Sequence, residues 1–88
     1  MCLRVRMHER VMRRHPELRE EDVLHAWRNA FIAQERLDTA PGTVVALGVD
    51  SHGRCVEMIA STCSADSVLI YHAKTPPTDG IMVELGLE

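Results

Sequence analysis

The hydrophobic period changes midway along the chain, and this change restricts the fold more than any other feature of the sequence. Up to about residue 29 the apolar residues recur at helical intervals; from residue 43 they run in short β-branched stretches divided by turn residues. From Val5 to His15 the spacing predicts a helix with Val5, His8, Met12 and His15 on one side and Val11 at its margin. Arg6, Arg10 and Arg13 share the opposite side, and Pro16 ends the segment. The stretch Pro16-Glu17-Leu18-Arg19 reads as a turn. Glu20-Glu21-Asp22 then place acids at the positive end of a second helix, whose stripe is Val23, Leu24, Trp27 and Phe31 and whose end falls near Asn29.

The second half reads as strands. Residues 31–36 predict a short strand and 37–42, with Asp38, Pro41 and Gly42, a turn. Residues 43–49 form a β-branched run, Asp50-Ser51-His52-Gly53 a hairpin turn, and 54–61 the returning strand. A turn over 62–66 leads into a last strand, 67–73. Pro76-Pro77 breaks the chain, and Thr78 or Asp79 caps a short final helix through Leu85. Short connections imply an antiparallel meander. The expected architecture is therefore α+β, with residues 1–88 as a single domain. Two N-terminal helices pack on a three- to four-stranded antiparallel sheet, all helices on one face, with a short C-terminal helix.

Size and charge limit the functional classes. With 88 residues and one Trp, one Tyr and one Phe, the core must come from aliphatic residues and is small, so a homodimer or hetero-oligomer is expected. The net charge of -3 hides a polarity. Residues 1–14 hold Arg4, Arg6, Arg10, Arg13 and Arg14 against Glu9 alone, whereas residues 37–88 hold Arg54 and Lys74 against seven acids. An anionic ligand is thus expected to meet the front of the chain. The preference for Arg over Lys suits bidentate phosphate contacts, although GC-rich coding produces the same bias. Three cysteines without CxxC spacing, and a start that runs directly into charged sequence, lead to the expectation of a cytoplasmic protein without a signal peptide. No run approaches the roughly 18–20 apolar residues of a membrane span. Phosphate-loop, dinucleotide, nucleophile-elbow and zincin motifs are all missing, and the Cys and His spacings suggest no metal site and no cofactor.

Several clusters together resemble a known family: Arg13-Arg14-His15, Glu20-Glu21-Asp22-Val23, the run 43–49, Gly53-Arg54, and Ile70-Tyr71-His72-Ala73-Lys74. Their layout, from roughly Met7 to Lys74, is similar to BrnT-like toxins of the RelE superfamily. The resemblance implies the toxin of a bacterial type II toxin-antitoxin pair, a ribonuclease that needs no metal. It also implies a cognate antitoxin, typically of ribbon-helix-helix type, as partner. The chain departs from the family where an Arg-containing cluster is usual: here stand Lys74-Thr75-Pro76-Pro77-Thr78-Asp79-Gly80, followed by an acidic tail.

Metal-independent RNA cleavage requires a base for the 2′-hydroxyl, an acid for the 5′-oxygen and cations on the phosphate. His72 and Lys74, two apart on a strand, share a face and are the catalytic candidates together with Arg54. The RNA-binding candidates are Arg6, Arg10, Arg13 and Arg14, with His15 added by the family's helix-end position. Each also has a structural reading: His72 as a half-buried strand residue, Lys74 and Arg54 as solvated charges, the arginine row as the wet side of an amphipathic helix. A non-catalytic interaction domain of the same fold is the rival. Catalysis by this set requires a cleft where His72, Arg54 and an N-terminal arginine converge.

Overall fold

Strict alternation decides the first element. In Arg4-Val5-Arg6-Met7 the apolar residues pack on the core while the arginines stay exposed, which is the signature of a strand. The computed structural model describes residues 4–36 and 42–87. It contains β1 (Arg4–Met7), α1 (Arg10–Arg14), α2 (Glu20–Arg28), β2 (Ala30–Arg36), β3 (Thr43–Val49), β4 (Cys55–Ser64), β5 (Ser67–Lys74) and α3 (Asp79–Glu84). The five strands form one mixed sheet in the order β1-β5-β4-β3-β2. β1 runs parallel to β5, and the other neighbours are antiparallel.

This architecture corrects the expected one in three respects. The sheet has five strands and is mixed, not three or four and antiparallel. The helix expected from Val5 to His15 is a strand followed by a helix of only five residues. Its predicted face is also wrong: Val11 is buried, while Met12 is 46% exposed. The reason is tertiary. β5 offers a free edge, where Arg4 N–H donates to Asp66 O at 2.7 Å and His8 N–H to Ile70 O at 2.8 Å. A short isolated helix has nothing comparable to hold it. Third, the helices do not share a face. α2 packs with Val11 and Leu18 on one side of the sheet, over Ala46, Val56, Met58, Val68 and Ile70. α3 places Ile81 and Leu85 on the other, over Val45 and Leu47.

The remaining elements follow local chemistry. Asp22 accepts from Arg19 N–H at 3.1 Å and so closes the start of α2. In the β3–β4 turn, Asp50 Oδ1 accepts from His52 N–H and Arg54 N–H, both at 2.9 Å, and Gly53 takes φ +79°. β4 extends three residues beyond its expected end, leaving a turn of only Ala65 and Asp66. The turn expected at 37–42 lies, except for Gly42, outside the described residues. α2 approaches β3 so closely that a Cβ on Gly48 would sit 1.9 Å from Ala26 O. Fully buried Leu18, Leu47, Met58 and Ile70 anchor the two layers, each contributing about 1.5–3 kcal/mol by burial. Among the described residues no helix is long and apolar enough to cross a membrane.

Candidate functional site

A single acid, Glu57, interrupts the apolar strand β4 and is 2% exposed. Its neighbours Val56 and Met58 face α2, so its carboxylate turns to the α3 side of the sheet. There Oε1 accepts from Thr78 N–H at 2.7 Å and from Thr78 Oγ1 at 3.0 Å. Oε2 lies 2.6 Å from His72 Nε2. Burial by itself raises the Glu57 carboxyl pKa, but the Thr78 N–H, the His72 ring and the Thr78 hydroxyl outweigh it, and the net shift is downward. The ionised carboxylate can only accept, so Nε2 of His72 carries the hydrogen. Nδ1 is left without a bond to any described residue and is not sealed from solvent.

The imidazole of His15 stands edge-on to that of His72, ring centres 6.4 Å apart. α1 brings it there by following β1 along the β5 edge, with His15 at the helix end. His15 Nδ1 is 3.6 Å from a Glu17 carboxylate oxygen. Arg10 completes the surroundings: its Nε–H donates to Tyr71 O at 3.3 Å and its guanidinium lies 5.5 Å from the Tyr71 ring centre. Lys74 shares the face of Glu57, its register partner, and donates one hydrogen bond to Pro76 O at 3.0 Å. Two ammonium hydrogens remain for a ligand.

The other candidates are distributed differently. Arg54 is taken up by the fold: its Nε–H donates to Asp50 at 2.8 Å, and its terminal nitrogens reach Glu17 O at 3.2 Å and Asp22 at 3.4 Å. Burial raises the Asp50 carboxyl, but donation from the Arg54 backbone, the Arg54 side chain and the His52 backbone brings it below its ordinary value. Arg54 therefore lines a neighbouring groove of ≈ 470 Å³ with Arg19, Asp22 and His52 instead of meeting His72. The expected convergence of His72, Arg54 and an N-terminal arginine is not formed: His72 meets His15 instead, and Arg10 reaches the backbone and ring of the adjacent Tyr71. Arg6 stands on β1, Arg13 pairs with Glu9 at 3.8 Å, and Arg14 is exposed. They do not form one helical row.

Glu57, Thr78 and Tyr71 belong to the site and escaped the reading of the sequence. Glu57 had a usable signal, since a lone acid inside a buried strand must be paired. Among the described residues no three His, Cys, Asp or Glu side chains converge as a metal site. Fold and site together define a small domain built on a five-stranded mixed sheet, with a histidine pair at one end of the sheet, one member of which is anchored on a buried carboxylate. Comparison with protein-family models, curated proteins and solved structures finds no match.

Proposed function

We propose that the chain is a metal-independent ribonuclease, in which His72 and His15 act as the acid-base pair on a phosphodiester. The observation that carries this reading is the edge contact of two imidazoles, one of them anchored on a buried carboxylate, next to Arg10 and Lys74. His72 Nδ1, held in its accepting tautomer by Glu57, removes the proton from a 2′-hydroxyl. The 2′-oxygen attacks phosphorus, the bond to the 5′-oxygen breaks, and protonated His15 supplies the leaving oxygen with its proton. Glu17 is the counter-ion while His15 carries that proton. Arg10 and Lys74 balance charge on the phosphate. The products are a 2′,3′-cyclic phosphate and a 5′-hydroxyl, and neither metal nor cofactor is required. A toxin of this chemistry acts in the cytoplasm and needs an antitoxin to cover it, so a co-encoded ribbon-helix-helix protein is the proposed partner.

The rival, a non-catalytic interaction domain, is favoured by Arg54 being taken up by Asp22 and Asp50, and by Phe31, 58% exposed on edge strand β2. Incubation with RNA in EDTA, with and without ribosomes, separates the two. Cleavage leaving cyclic phosphate ends, and falling on the order of 10²-fold or more in His15→Ala and His72→Ala, supports the enzyme. Intact RNA in both arms, from a folded wild-type protein, overturns it.

A further inference from the structure

α3 covers only part of its side of the sheet. Its cluster draws on β2, β3 and β4 through Ile32, Val45, Leu47, Cys55 and Ile59, and includes no residue of β1 or β5. Because Val5, Met7, Val68 and Ile70 turn toward the α2 core, Arg4, Arg6, Ser67 and Leu69 must lie on the uncovered face. The register sets Arg4 beside Ser67 and Arg6 beside Leu69. Arg4, Arg6 and Ser67 line an open recess of ≈ 330 Å³. His72 stands on the same side, opposite Ile59, five residues along β5 from Ser67. At about 3.3 Å per strand residue, the recess is roughly 16 Å from the histidine pair.

Charge identifies the occupant. Arg10, Arg13, Arg19, Arg36 and Arg54 each have a carbonyl, ring or carboxylate partner. Arg4, Arg6, Arg14 and Arg28 are exposed and pair their side chains with no described residue, and of these Arg4 and Arg6 stand two apart on one face of the sheet. Among the described residues no acid lines the recess. Charged residues on an edge strand also discourage strand pairing between molecules. That role does not need two free guanidinium groups beside a hydroxyl on the face that carries His72. We propose that Arg4, Arg6 and Ser67 form a phosphate subsite for single-stranded RNA, guiding the strand across β5 to His72 and Lys74. The proposal rests on the ribonuclease reading and gives its site a substrate track.

Binding is measured separately from cleavage, by fluorescence anisotropy of a labelled short single-stranded RNA on the His15→Ala, His72→Ala background. Adding Arg4→Ser and Arg6→Ser should weaken binding about tenfold and lower the slope of log affinity against log salt by about 1.4, for two lost phosphate contacts. Arg4→Lys with Arg6→Lys should keep most of the slope. Arg28→Ser removes an exposed charge from α2 and serves as the control. An effect of the serine pair no larger than that control overturns the subsite, as does failure of the RNA to bind at all. Binding of polyglutamate but not RNA, lost with the same arginines, also overturns it and points to an acidic protein. Cleavage that survives the serine pair with unchanged KM removes the subsite alone. Intact RNA together with arginine-dependent binding removes the acid-base roles and leaves the subsite standing.

Discussion

Replacing Glu57 by Gln changes one atom and inverts the chemistry expected of His72. The carboxylate accepts three hydrogen bonds, from Thr78 N–H, Thr78 Oγ1 and His72 Nε2. A bond to a charged group is worth about 1.5–3 kcal/mol and a neutral one about 0.5–1.5, so the gross loss is roughly 3 kcal/mol. Removing a buried charge returns desolvation energy of similar order, which leaves a net cost of about 0–2 kcal/mol. A domain of this length has on the order of 4–13 kcal/mol of stability, so the variant folds. The Gln carbonyl retains the Thr78 bonds and its NH₂ turns to His72, making Nε2 an acceptor and moving the hydrogen to Nδ1. The outward nitrogen can then no longer take a proton, and cleavage should fall about 10²–10⁴-fold. Urea denaturation measures the stability, ¹⁵N shifts of His72 read the tautomer, and RNA cleavage in EDTA gives the rate. A folded variant that keeps its hydrogen on Nε2, or loses less than about tenfold in rate, shows that Glu57 does not set the tautomer on which His72 depends.

Two further predictions concern the scaffold. Gly48→Ala places a methyl 1.9 Å from Ala26 O and 2.8 Å from Ala26 C, so α2 must retreat by more than an ångström. The urea midpoint should drop by the equivalent of about 3 kcal/mol; an unchanged or raised midpoint, as Gly→Ala gives where space is free, contradicts the docking of α2. Acid should also destabilise the fold, because Asp50, Glu57 and Glu84 all have lowered pKa values, the last chiefly through its hydrogen bonds from Arg36. Groups lowered in the folded state contribute fully above the unfolded carboxyl value of about 4 and lose that contribution as pH falls from there through the lower folded value. The urea midpoint should therefore be level near neutrality and decline below about pH 5, and a midpoint that stays level to pH 3 would remove these carboxylates from the stability of the fold.

Much of the chain was legible because neighbours in sequence decide it. Glu20-Glu21-Asp22 start α2 through their own charges and the Asp22 cap, and Asp50 with Gly53 makes the β3–β4 turn from its own side chain and backbone. The face shared by His72 and Lys74, two apart on a strand, likewise needs no distant partner, but which side of the sheet it is depends on the irregularity opposite Ile59 and Ala60, which shifts the alternation of β5 ahead of His72. The first fifteen residues are different. Arg4-Val5-Arg6-Met7 is compatible with a short strand or the first turn of a helix, and the free hydrogen-bonding edge of β5, sixty residues away, chooses between them.

The functional set shows the same division. Residue types and local spacing singled out His72 and Lys74 as a pair on one strand face, and the family resemblance added His15 as a candidate apart from them. Their juxtaposition is a property of the sheet: α1 follows β1 along the β5 edge and delivers His15 to His72, while pairing with β4 sets Glu57 beside His72 on the same face. Arg54 shows the opposite outcome. It looks available in the sequence, yet the turn at Asp50 and the cap residue Asp22 fold around it and take its donors. Composition and local pattern thus determined which charges exist and where most strands begin. Which charges are free, which are paired and which stand together was decided by long-range strand pairing, because an ion pair or a proton relay depends on distances of a few ångströms that sequence separation does not encode.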